Sequence, residues 1–266
     1  MLKNLCLSIA LACIAQSASA GPADDVVSVE VLSGWQTESG SQMAGLRIKL
    51  APGWKTYWRA PGDAGIPPII SFLGSDNIAN TRVQWPVPEV FYEQGMRSIG
   101  YYDEVVVPIE LMPKTAGTPM TLSGEMQIGV CEEICVPAHL AFSAVIQPGG
   151  NRSPAIVAAL IDRPLTEKEA GVTQAICSFA PAPNGVVVST TLALPHTGGT
   201  EAVVIEAGDP HIWVSEPDVV RTGNQITATS RMVHSNGISF SLNRANIRIT
   251  VLGANHAVDV RGCSAG

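Results

Sequence analysis

The chain has 266 residues, of which 46% are hydrophobic, 15% charged and 5% aromatic, a composition that excludes a disordered or fibrous protein. The length suits two domains, each long enough to bury its own core. A formal net charge of −7 and the lack of any basic run argue against nucleic acid and anionic membrane surfaces as partners.

Residues 1–20 read as a secretory signal peptide. Lys3 supplies a positive start, Leu5–Ala15 is an apolar run, and Ala18-Ser19-Ala20 is a small-x-small cleavage site before Gly21. The run is too short to cross a bilayer, which takes about 20 residues. Cys13 is a poor lipoprotein site, because Ala10-Leu11-Ala12 puts the large residue in the wrong place. No later stretch reaches spanning length, so the expectation is an exported, soluble chain with no membrane span after cleavage. Export leaves four cysteines, Cys131, Cys135, Cys177 and Cys263. An even number in an exported chain suggests two disulfides, with three possible pairings.

The mature chain reads as all-β. Leu46, Ile48 and Leu50 alternate with Arg47 and Lys49; Val105, Val107, Ile109 and Leu111 alternate next. Residues 120–130 and about 136–146 continue at period two, the mark of strands with one buried face. Turn clusters such as Ala51-Pro52-Gly53, Pro61-Gly62-Asp63 and Pro148-Gly149-Gly150 separate them, and short strands at this spacing predict a β-sandwich. Ser153 as cap and Pro154 in the first position predict a helix ending before Pro164, with Ile156, Val157, Leu160 and Ile161 on one side. This helix is either a connector or part of one domain's packing. Beyond it, strands are expected at Val186–Leu192, Ala202–Glu206, Ile212–Val214, Gln225–Thr229, Gly237–Leu242, Ile247–Val251 and Ala257–Arg261, with Arg248 and Thr250 facing outward. The expected division is therefore a β domain at 21–148, a connector with a short helix at 149–173, and a second β-sandwich-like domain at 174–266. No repeat aligns the two halves.

Cys131 and Cys135 join two predicted strands. In a straight strand, residues four apart are separated by about 13 Å, whereas a disulfide needs Cα atoms within about 7 Å. The segment must therefore turn, and a hairpin tip would bring the sulfurs together at an exposed sheet end. So short a loop gains little from cross-linking, which favours a redox role over a structural clip. Glu132 and Glu133 would disfavour a thiolate and lower the potential, as suits an electron donor. Cys177 and Cys263 bracket the second half, and a bond between them would close nearly the whole domain as a structural disulfide. Cys131, Cys135 and His139 are spaced as metal ligands on a helix, but Pro137 rules against a helix and no fourth ligand is near, which disfavours zinc. Copper(I) held by the two thiolates is the rival reading. His196, His211, His234 and His256 are scattered, and no metal or cofactor is expected.

The stretch Gly53-Trp54-Lys55-Thr56-Tyr57-Trp58-Arg59-Ala60-Pro61-Gly62-Asp63-Ala64-Gly65-Ile66-Pro67-Pro68 resembles the signature of the DsbD N-terminal-domain-like family. Trp85-Pro86-Val87-Pro88, Gly100-Tyr101, Val107-Pro108-Ile109 and the Cys131–Cys135 pair with Val136-Pro137 follow in the family's order. The resemblance covers about residues 26–148. The arrangement with a second β half is similar to the exported portion of ScsB, a relative of DsbD linked to copper tolerance. It implies an immunoglobulin-like sandwich in the periplasm whose cysteines, here Cys131 and Cys135, take electrons from a membrane-embedded thiol reductase. They would pass them to periplasmic thioredoxin-fold proteins. In these relatives an aromatic cap loop shields the cysteines; the corresponding region is roughly Glu89–Gly95, so Phe91 or Tyr92 is the candidate cap. Two departures stand out: the cysteine loop is shorter than in DsbD, and the membrane segment and thioredoxin-like domain of DsbD are not present, so the electron source is expected to be a separate protein. The tryptophan-rich stretch itself offers no obvious catalytic chemistry. In it Trp54, Trp58 and Pro61 are expected to pack, and Arg59 to pair with Asp63. A non-redox binding module with two structural disulfides is the remaining alternative.

Overall fold

A computed structural model describes residues 25–93 and 95–266; the expected signal peptide at 1–20 lies outside them. In chain order the first ten strands are β1 (Val27–Gln36), β2 (Gln42–Leu50), β3 (Lys55–Tyr57), β4 (Ile69–Ser71), β5 (Ile78–Val83), β6 (Glu89–Glu93), β7 (Met96–Tyr102), β8 (Glu104–Pro113), β9 (Met120–Cys131) and β10 (Cys135–Ile146). Helix α1 (Pro154–Ile161) follows. Then come β11 (Leu165–Thr166), β12 (Gln174–Ala182), β13 (Gly185–Ala193), β14 (Ala202–Glu206), β15 (Ile212–Val214) and β16 (Asp218–Thr222). The last four are β17 (Gln225–His234), β18 (Arg248–Leu252), β19 (Ala257–Arg261) and β20 (Ser264–Ala265).

These strands build two sandwiches, as the alternation predicts. In the first, a sheet of order β1-β2-β8-β5 faces one of order β10-β9-β3-β7-β6, with β4 added beside β9. Leu46, Ile48, Val107 and Ile109 of the first sheet share a buried cluster with Leu122, Met126, Ile128 and Val130 of the second. The even positions of β9 therefore point inward. Its odd positions, among them Gly129 and Cys131, form the outer face.

Helix α1 covers the outer face of the opposite sheet. Ile156 and Ala159 cluster with Met43 and Val106. Gly45 lets the helix approach: a Cβ there would stand 3.1 Å from Ile156 and 3.3 Å from Val106. The expected helix face is thus corrected. Ile161 is 78% exposed while Ala159 is buried, because the 3.6-residue period brings 155, 156, 159 and 160 to one side. Ser153 occupies the cap position without a side-chain hydrogen bond.

The second sandwich pairs a sheet of order β11-β19-β18-β14 with one of order β15-β17-β13-β12-β20, in which β16 also joins β17. Two expectations fail here. Residues 238–243 form no strand; Phe240 and Leu242 pack onto the second core from a loop. Thr250 does not face solvent but is wholly buried. The reason is that β14, β18 and β19 are covered on both faces. Val203, Ile205, Ile249, Val251, Val258 and Val260 fill the second core. Ala202, Val204, Leu252 and Ala257, of opposite parity, join the buried cluster of the first sandwich together with Trp58 and Ile99. Among the described residues no helix is long and apolar enough to cross a membrane.

Candidate functional site

Strands β9 and β10 form a hairpin whose register sets Cys131 directly opposite Cys135. Opposed residues of an antiparallel pair project to one face, and the two cysteines are bonded, with Cα atoms 4.1 Å apart. The required turn is Glu132-Glu133-Ile134, all exposed.

The two cysteines differ in access. Cys131 is 1% exposed, whereas Cys135 lies at the surface. The difference comes from what covers Cys131. Strand β3 runs beside β9 with Lys55 opposite Cys131 and Thr56 opposite Val130, so Tyr57 falls opposite Gly129. With no side chain at 129, the phenol ring lies across the strand; a Cβ there would stand 3.2 Å from the ring and 2.9 Å from Ile66. The Tyr57 hydroxyl reaches 3.0 Å from Cys131 Sγ and 3.4 Å from Cys135 Sγ. Burial, and then the charge of Glu93, push the Tyr57 pKa above its ordinary value. The phenol stays protonated and is a donor toward sulfur. Tyr57 lies inside the tryptophan-rich stretch, so that stretch does carry a group of the site. The sequence carried no signal for it, because β3 is only three residues long.

Lys55 is 2% exposed and forms an ion pair with Glu93. It also lies over the Phe91 ring, 5.2 Å from the centroid. Glu132, by contrast, turns its carboxylate toward Gly53, 3.7 Å from where a Cβ would stand. The buried charge in the strand next to Cys131 is therefore a cation. Phe91 is buried and packs edge-on against Tyr102 at 4.7 Å. Tyr92 is 66% exposed. Of the aromatic groups described, Tyr57 is the one hydrogen-bonded to the sulfurs.

Cys177 and Cys263 are bonded in the second sandwich, with Cα atoms 5.6 Å apart and Cys177 fully buried. Arg59 does not pair with Asp63. Its Nε and Nη2 donate to the two carboxylate oxygens of Glu206 at 3.2 and 2.9 Å, and Nη2 donates to Thr250 at 3.1 Å. The loop leaves β3 toward the second sandwich, which carries Arg59 away from Asp63. Among the described residues no group of three or more His, Cys, Asp or Glu side chains is arranged to hold a metal.

The family described as "Thiol:disulfide interchange protein DsbD, N-terminal" matches residues 23–146. No curated protein matches the chain. Among solved structures, the N-terminal periplasmic domain of ScsB from Proteus mirabilis superposes with a TM-score of 0.66 at 20% identity, covering 93% of this chain and 97% of that one. The reduced N-terminal domain of Neisseria meningitidis DsbD is also found, at 16% identity and a TM-score of 0.28, over 48% of this chain and 90% of that one. The match over residues 23–146 and the shared architecture identify the first sandwich as a DsbD N-terminal-like domain.

Proposed function

We propose that the chain is a periplasmic thiol:disulfide interchange protein that relays electrons through Cys131 and Cys135. The donor would be a membrane-embedded thiol reductase and the acceptors thioredoxin-fold proteins. The family match supports interchange chemistry. The observation that carries the reading is the asymmetry of the pair: one cysteine exposed, its bonded partner buried under a phenol.

That asymmetry supports the following roles. A donor thiolate attacks Cys135 Sγ; the Cys131–Cys135 bond breaks, and its electron pair leaves on Cys131. The Tyr57 hydroxyl donates a hydrogen bond to this thiolate, which lowers the cost of its departure. The donor's second thiolate then attacks its own sulfur in the mixed disulfide, releasing Cys135 and oxidising the donor by two electrons. In the onward direction the Cys135 thiolate attacks an acceptor disulfide. Cys131 then resolves the mixed bond, and the acceptor leaves reduced. Cys177–Cys263 stays oxidised throughout as a structural bond.

The test is a titration in graded thiol buffers, with free thiols trapped by alkylation and read by peptide mass. Cys131–Cys135 is expected to titrate reversibly while Cys177–Cys263 remains bonded. A Cys131→Ser chain should trap a mixed disulfide at Cys135, and a Cys135→Ser chain should not. Equal resistance of both pairs to reduction would leave a binding module instead. Tight copper(I) retention by the reduced chain without exchange would favour the metal reading.

A further inference from the structure

The fold leaves the second sandwich without a part in this chemistry, yet it grips the segment that covers the sulfurs. Tyr57, Trp58 and Arg59 are consecutive. Tyr57 faces outward to Cys131; Trp58 is wholly buried in the first core. Arg59 crosses to the second sandwich, where Glu206, Thr250 and Asp259 project from one face of β14, β18 and β19. Asp259 lies 3.8 Å from Arg59 Nη2. The guanidinium also stacks on the Trp58 ring, 3.8 Å from its centroid. The indole nitrogen has no hydrogen-bond partner, so nothing but packing orients that ring, and Arg59 supplies one side of it.

A cleft of about 530 Å³ opens between Ala60–Pro67 and the β14–β15 region. The second tie lies on the neighbouring strand: Arg97, 5% exposed, pairs with Glu216 at 3.3 Å and donates to the Val203 carbonyl at 3.4 Å. The backbone of the segment after β3 is tied to Ile99 by the Trp58 N–H and the Pro61 carbonyl, both at 2.9 Å; Arg59 adds its side-chain hydrogen bonds to the second sandwich.

We propose that the second sandwich is a positioning element for the redox pair, its Glu206–Thr250–Asp259 cluster holding Arg59 and thereby keeping the Tyr57 hydroxyl on the sulfurs. Arg59 touches neither sulfur and acts through Tyr57. The inference rests on the redox reading of Cys131 and Cys135 given above.

The experiment is a double-mutant cycle on the full chain, read as the rate at which dithiothreitol reduces Cys131–Cys135. Dithiothreitol supplies both electrons and ends as its cyclic disulfide. Tyr57→Phe and Arg59→Met are each expected to slow reduction about tenfold, and the double variant to be no slower than Tyr57→Phe alone. Arg59→Lys should recover part of the rate. Glu206→Gln repeats the cycle with a milder change and decides the matter if Arg59→Met does not fold. Parental rates in the Arg59 and Glu206 variants, or losses that simply add to that of Tyr57→Phe, would overturn the positioning role. An unsubstituted chain that dithiothreitol leaves oxidised at Cys131–Cys135 would instead overturn the redox reading on which it rests.

Discussion

In the proposed exchange, Tyr57 is the residue that governs the buried sulfur. Its hydroxyl lies within hydrogen-bond reach of both sulfurs, and its raised pKa keeps the proton available at neutral pH. Tyr57→Phe should leave the fold intact but raise the pKa of Cys131 in the reduced chain, because a thiolate loses a charge-assisted donor. Following thiolate absorbance against pH measures this directly; an unchanged titration would remove Tyr57 from the mechanism. Gly129 has a matching requirement. Alanine there meets Ile66 at 2.9 Å, and overpacking of this kind costs about 1–3 kcal/mol. Gly129→Ala is expected to lower the melting temperature and to displace the phenol, so its reduction rate should approach that of Tyr57→Phe.

At the scale of elements, the two disulfides close loops of very different size. Cys177 and Cys263 are 86 residues apart, and removing both sulfurs should cost about 4–5 kcal/mol in the chain-entropy picture. Cys131 and Cys135 are four apart, and the same formula gives about 2 kcal/mol. Denaturant titrations of the Cys177→Ser, Cys263→Ser chain and of the Cys131→Ser, Cys135→Ser chain compare the two; equal losses would refute the division into structural and redox bonds. The hairpin that carries Cys131 and Cys135 was legible in the sequence, because β9 and β10 alternate cleanly and a four-residue spacing admits few ways to join sulfurs. Strand β3 was not legible: three residues are too few to show a period, and its partner choice is set by tertiary pairing. Tyr57 was hidden with it. The Gly237–Leu242 segment erred in the opposite sense, with apolar residues packing from a loop.

For the whole molecule, the contact between sandwiches contains buried charge. Burial pushes the Asp259 carboxyl up. The hydrogen bond from Arg248 and the charges of Arg248, Arg59 and Arg261 outweigh it, and the pKa lies below the usual carboxylate value. A folded-state pKa below the unfolded one contributes stability above about pH 4, which is lost as pH falls through the depressed value. Acid should therefore loosen the contact below about pH 4. Melting curves taken from pH 7 to pH 3 are expected to fall less steeply for Asp259→Asn than for the parent, and parallel profiles would contradict the assignment. The outward direction expected for Thr250 was wrong for the same reason, while Arg248 stays partly exposed: alternation shows which residues share a face, but not whether that face meets water or another part of the chain.

The doubly covered sheet also fixes how the molecule can drift in sequence. Strands β13 and β17 have one face in the core and one less buried, so a saturation scan should find them permissive at every second position. In β14 four of five residues are buried, as are four of five in β18, and both parities there should reject polar replacements. The tolerance map would lose its two-residue rhythm at β14 and β18, and that loss would mark from mutational data alone where one sandwich leans on the other.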